Sequence, residues 1–113
     1  MNFPSLPSPP FVAVIFANQR TGIEDKEYAE MANRMVELAS RQPGYLGINS
    51  SRSDDGFGIT VSYWADIESA MKWREVAEHR VAQKLGNEKW YEKYQLQIAE
   101  VKADRVVHNP PSR

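Results

Sequence analysis

Apolar residues run unbroken from Phe11 to Ala17 (FVAVIFA), β-branched and aromatic at both parities, which predicts a strand buried on both faces. From about Asp25 to Arg41 the period changes. Tyr28, Met31, Ala32, Met35, Val36 and Ala39 recur at helical spacing with Glu30, Asn33, Arg34 and Glu37 between them, so an amphipathic helix is expected, ended by Pro43-Gly44. Tyr45 to Ser53 and Phe57 to Trp64 flank Asp54-Asp55-Gly56 and read as a hairpin in which Gly56 supplies a positive-φ position. In its second strand Phe57, Ile59, Val61 and Tyr63 share one face, and Gly58, Thr60, Ser62 and Trp64 the other. Neither is plainly a solvent face. Asp66 suits the N-cap of a second helix carrying Ile67, Ala70, Met71, Trp73, Val76, Ala77 and Val81, with Gly86 as its stop. Gly86 to Lys93 reads as irregular and aromatic. Alternation resumes at Tyr94, and a last strand is expected from there to about Val107.

The order β-α-β-β-α-β is that of a ferredoxin-like α+β domain, with two helices on one face of a four-stranded antiparallel sheet. Two helices cover one face only. With the first and third strands apolar at both parities, the other face would be a large exposed apolar patch, and the same face of a second copy is the simplest cover. A homodimer through the sheet is therefore expected. Residues 1–10, with four prolines and two serines, read as an extended arm, 11–107 as the single domain and 108–113 as a tail.

Composition removes several classes of function. The chain has no cysteine, which excludes disulfides, thiolate metal sites and cysteine nucleophiles. Two distant histidines are too few for a metal cluster. A net charge of −1 without a basic stripe argues against nucleic acid as a partner. No run approaches a membrane span and the N-terminus lacks the pattern of a signal peptide, so a cytoplasmic protein is expected.

Gly56-Phe-Gly-Ile-Thr-Val-Ser-Tyr-Trp64, then Trp73 and Glu78-His79, resembles the antibiotic biosynthesis monooxygenase (ABM) family. Phe16-Ala-Asn-Gln-Arg20, Pro43-Gly-Tyr-Leu-Gly47 and Trp90-Tyr91 extend the resemblance over roughly residues 11–105. It implies a dimeric α/β barrel, two ferredoxin-like sheets face to face, with a cavity in each subunit between helices and sheet. It also implies one of two chemistries. Some such relatives oxidise small aromatic or quinol compounds with molecular oxygen and no cofactor; others bind and open haem. In the haem branch Asn18 and Trp73 match carried-over positions, whereas the ligand position is Gln83, and an amide is a poor substitute for imidazole at haem iron. His79, one turn earlier on the same face, is the alternative ligand.

On these grounds the candidate catalytic residues are His79, whose resting pKa suits acid-base work, and Asn18, whose amide can orient an oxygen. His79 reads equally as a helix histidine beside Glu75 and Glu78. Arg20, pointing to the same side as Asn18, is a candidate for binding an anionic substrate oxygen. Tyr63, Trp64, Trp73, Trp90 and Tyr91, with Gln83, are candidates for the walls of a pocket for a flat aromatic ligand, although aromatics at such positions more often form core or dimer interface. No cofactor or metal is called for by the residues themselves. A non-catalytic ligand-binding or stress-associated dimer of the same fold is the alternative to a monooxygenase.

Overall fold

The computed structural model describes residues 3–23, 25–83 and 89–111, with the backbone alone at 81–83. β1 (Phe11–Arg20), α1 (Asp25–Ser40), β2 (Tyr45–Arg52), β3 (Phe57–Trp64), α2 (Ile67–Gln83) and β4 (Tyr91–Val101) form one four-stranded sheet in the order β2-β3-β1-β4 with two helices. Every pairing is antiparallel, and β1, the most apolar strand, lies between β3 and β4. This is the ferredoxin-like α+β fold.

Local chemistry sets the joints. The Ser69 amide donates to Asp66 Oδ1 at 2.8 Å, capping α2, and that bond holds the Asp66 carboxyl below its ordinary range. In the β2–β3 hairpin Gly56 has φ +90° and the Phe57 amide donates to Asp55 Oδ1 at 2.9 Å, so the turn takes the glycine at its left-handed position. Residues Val12 and Val14 of β1 and Trp64 of β3 turn toward the helices, where they pack with Ala39, Ala70 and Trp73. Trp64, fully buried, stacks on Trp73 with centroids 5.7 Å apart and satisfies its indole N–H on Ser62 Oγ at 2.9 Å.

The opposite sheet face carries Phe57 and Ile59, 42% and 41% exposed, beside half-buried Ile15, Ala17 and Val61. Part of it is occupied by the N-terminal arm. Pro4 sits against Gly47 of β2 where any side chain would collide with it, and Leu6 lies alongside.

Both ends of the last strand differ from the sequence expectation. β4 begins at Tyr91 rather than Tyr94 and ends at Val101 rather than near Val107. Its early start follows a register shift at Gln19/Arg20 that lets Tyr91 pair with Arg20. Its end follows from β1, because Val101 pairs with Phe11, and the preceding Pro9-Pro10 has no amide hydrogen to continue the ladder. No helix among the described residues is long and apolar enough to cross a membrane.

Candidate functional site

The strands place side chains in rows across the helix-facing side of the sheet. Ile48, Ser62, Val14 and Ile98 form one row; Ser50, Thr60, Phe16 and Leu96 the next; Arg52, Gly58, Asn18 and Tyr94 the third. The helices roof over these rows without filling the space, leaving a cavity of about 200 Å³. Its walls are mainly apolar: Met31 and Met35 of α1, Trp73 and Ala77 of α2, Phe16 and Leu96 of the sheet. Polar groups gather in the third row.

Arg52 reaches across that row because Gly58 has no side chain. A Cβ at position 58 would lie 2.7 Å from the Arg52 Cζ. Over this gap the guanidinium donates to Asn18 Oδ1 at 2.9 Å, to the Tyr28 hydroxyl at 2.8 Å and to the Gly56 carbonyl at 2.6 Å. The first of these bonds fixes the Asn18 amide, since only its oxygen can accept from an arginine. Asn18 is 2% exposed, and its Nδ2, turned away from Arg52, makes no hydrogen bond. An unspent buried donor of this kind costs about 1–3 kcal/mol unless a ligand supplies an acceptor.

Tyr91 and Tyr28 close this end, hydroxyl to hydroxyl at 3.2 Å. Burial first, and then the Tyr28 hydroxyl, pushes the Tyr91 phenol far above the ordinary tyrosine range, so it stays protonated and acts as a hydrogen-bond donor. Arg20 lies behind them, 7% exposed and fully engaged. It donates to the Trp90 carbonyl at 2.5 Å, the Ile23 carbonyl at 3.2 Å and Asp25 Oδ1 at 2.7 Å, and its guanidinium sits 3.8 Å from the Tyr28 ring centroid.

The sequence profile of the family described as antibiotic biosynthesis monooxygenase matches residues 10–85. The chain belongs to the antibiotic biosynthesis monooxygenase family. It is 45% identical over 100 residues to the uncharacterized protein YqjZ of Bacillus subtilis, covering 88% of this chain and 87% of that one. It is 36% identical over 93 residues to a jasmonate monooxygenase of Pyricularia oryzae, covering 80% of this chain and 43% of that protein. Among solved structures, SnoaB, a cofactor-independent oxygenase from Streptomyces nogalater, superposes with a TM-score of 0.64 at 14% identity, over 89% of this chain and 100% of that one. That likeness is one of ABM fold.

Against the ABM-derived expectations, Trp73 and Tyr91 line the cavity, whereas Asn18 lies outside the described lining, bonded behind Arg52. The other candidates are placed elsewhere. α2 runs without a break from Ile67 to Gln83, so His79 is carried to the exposed side, while Glu78 joins the cavity lining. Six residues at 100° each put His79 about 120° from Trp73 around the axis, which is why the two do not meet. Arg20 is consumed by its four internal partners. Tyr63 points to the opposite sheet face, edge-on to Phe11 at 5.9 Å. Trp64 supports Trp73 from within the core. Trp90 packs edge-on to Tyr28 and borders an outer groove beside α1. The side chain of Gln83 lies outside the described residues.

Haem does not fit this cavity. About 200 Å³ falls below the roughly 300–1,000 Å³ typical of pockets for drug-sized ligands, which a haem exceeds in size, and no imidazole is among its described lining residues. Nor do the described residues contain a cluster of side chains able to hold a metal ion.

Arg52 went unnoticed in the sequence because its role depends on what stands opposite. The available signal was parity: Ile48, Ser50 and Arg52 share a face, and Gly58 opens β3 with no side chain on that same side.

Proposed function

We propose that the protein is a cofactor-independent monooxygenase acting on a small phenolic or quinol ring. The observation that carries this reading is a single cation, Arg52, among the described lining of a cavity whose walls are mainly aromatic and apolar, held there by the buried Asn18. A flat ring enters between Trp73, Met31 and Phe16, and its phenolic oxygen accepts from Arg52, which Asn18 holds in place. Arg52, whose described partners are neutral, favours the ionised phenol. Glu78, the carboxylate among the described lining residues, takes the proton. The electron-rich phenolate then reduces dioxygen itself. One ring C–H becomes a carbonyl, the second oxygen atom leaves as water, and the substrate supplies all four electrons.

The test is oxygen uptake with 1-naphthol under ¹⁸O₂. One labelled atom is expected in 1,4-naphthoquinone and one in water, with turnover falling roughly 100-fold in Arg52→Gln, the typical cost of losing one oxyanion donor. Ring binding without oxygen uptake across a panel of phenols and quinols would replace this reading with that of a ligand-binding protein.

The working unit in this proposal is a homodimer closed over the sheet face that carries Phe57 and Ile59. Sedimentation at micromolar concentration should give twice the 12.9 kDa chain mass. A clean monomer would remove the barrel from the proposal.

A further inference from the structure

Arg52 carries more binding capacity than the contacts described for it use. A guanidinium has five N–H donors, and three bonds are accounted for, to Gly56, Asn18 and Tyr28. All three acceptors are neutral. The ion pairs of the described residues join Arg20 to Asp25, Arg41 to Glu37 and Lys72 to Glu68, and none reaches Arg52. Glu78 also lines the cavity but is not within ion-pair distance of Arg52. Beside this cation is the Asn18 Nδ2, 2% exposed and without an acceptor. Asn18 itself lies behind Arg52 and outside the described lining, so of the pair it is the guanidinium that a ligand in the apolar space can meet.

The contrast with Arg20 sharpens the point. Arg20 is the arginine of a finished structural site, with an acidic partner and two carbonyls. Arg52 is held in place as firmly but has no counterion among the described residues, and its side chain remains in contact with solvent at the cavity mouth. Gly58 is what permits this placement, since a methyl group there would overlap the guanidinium atoms at 2.7–2.9 Å.

We infer that this end of the cavity is a subsite for an organic anion, so that the ligand is a ring bearing a carboxylate, held by Arg52 while the ring lies against Trp73. The inference rests on the reading of the cavity as a ligand site, but not on turnover. The carboxylate enters last and stays near water, and the ring fixes its depth. Solvent at the mouth screens the charge, so the preference for the anion is moderate and falls with salt.

The experiment compares 2-naphthoate with its neutral isostere 2-naphthamide, neither of which has a phenol to oxidise, by tryptophan fluorescence titration of the full chain. In 20 mM salt the wild type should bind naphthoate about tenfold tighter than naphthamide, and 500 mM salt should narrow that ratio. In Arg52→Gln the ratio should fall to about one, and Gly58→Ala, which keeps the arginine but displaces it, should lower it in the same direction. Thermal melts of both variants confirm that a fold is being titrated. Equal binding of the two probes by the wild type overturns the inference, as does a preference that survives in Arg52→Gln, or failure of both probes to bind. Equal binding combined with oxidation of 1-naphthol would leave the monooxygenase reading standing while the anion subsite falls.

Discussion

Along the helix-facing side of β1 the residues run Val12, Val14, Phe16, Asn18, Arg20, and the space above the sheet changes with them. Over Val12 it is closed by Trp64, Ala39, Ala70 and one side of Trp73, and the cavity begins at Val14. Over Asn18 and Arg20 the same two layers are held apart by phenols and guanidinium groups. The apolar end gains from every ångström of approach, so it closes. At the polar end each group has a required distance and direction, so the layers stand off, and the cavity lies between the two ends, over Val14 and Phe16. One strand thereby serves stability at one end and recognition at the other.

Three substitutions probe this division, in descending order of expected effect. Trp64→Ala removes the largest side chain of the closed end and should cost roughly 3–5 kcal/mol, enough to unfold much of the population, read as the urea midpoint. If the protein tolerated it with little change, the closed end would not be the seat of stability. Arg20→Met keeps an unbranched apolar stem but leaves the Trp90 and Ile23 carbonyls without their donor, at a cost of about 2 kcal/mol, and should leave the naphthoate-to-naphthamide ratio unchanged. A collapse of that ratio would mean that the structural and recognition arginines are not separable.

The smallest effect concerns pH. Tyr91 is raised above its ordinary value in the folded protein, so its contribution to stability is complete below the unfolded tyrosine pKa of 10.0 and is lost as pH rises from there toward the folded value. Wild-type stability should therefore decline above about pH 10 with a slope approaching 1.4 kcal/mol per pH unit from this group. Tyr91→Phe should flatten that part of the curve while changing neutral stability by about 1 kcal/mol. Identical alkaline limbs in the two proteins would show that Tyr91 is not buried in solution.

The fold was readable from the chain because its signals are local. Alternation along β3, the helical period from Tyr28 to Ala39 and the Asp-Gly turn each depend on neighbours within a few residues. The site was readable only where a single strand or helix determines it, as with Asn18 at the end of β1 and Trp73 on α2. Arg52 depends on Gly58 across a strand pair, and that relation exists only once the register is set. Arg20 shows the converse: its parity was right, but Asp25 and the carbonyls of Ile23 and Trp90, contributed by segments outside β1, decide that it is internal. His79, a candidate for acid-base work by its residue type, is turned away from Trp73 because α2 runs on without a break.

The vacancy at Gly58 also bears on how this chain can diverge. A mutation that put any side chain there would strip Arg52 of its path to Asn18, and a mutation that removed Arg52 would leave the glycine with only its conformational cost. Neither change is neutral while the other residue remains, so positions 52 and 58 form an inherited pair. Descendants of this sequence should keep both or lose both, and a lineage that has lost both should have moved to a different class of ligand.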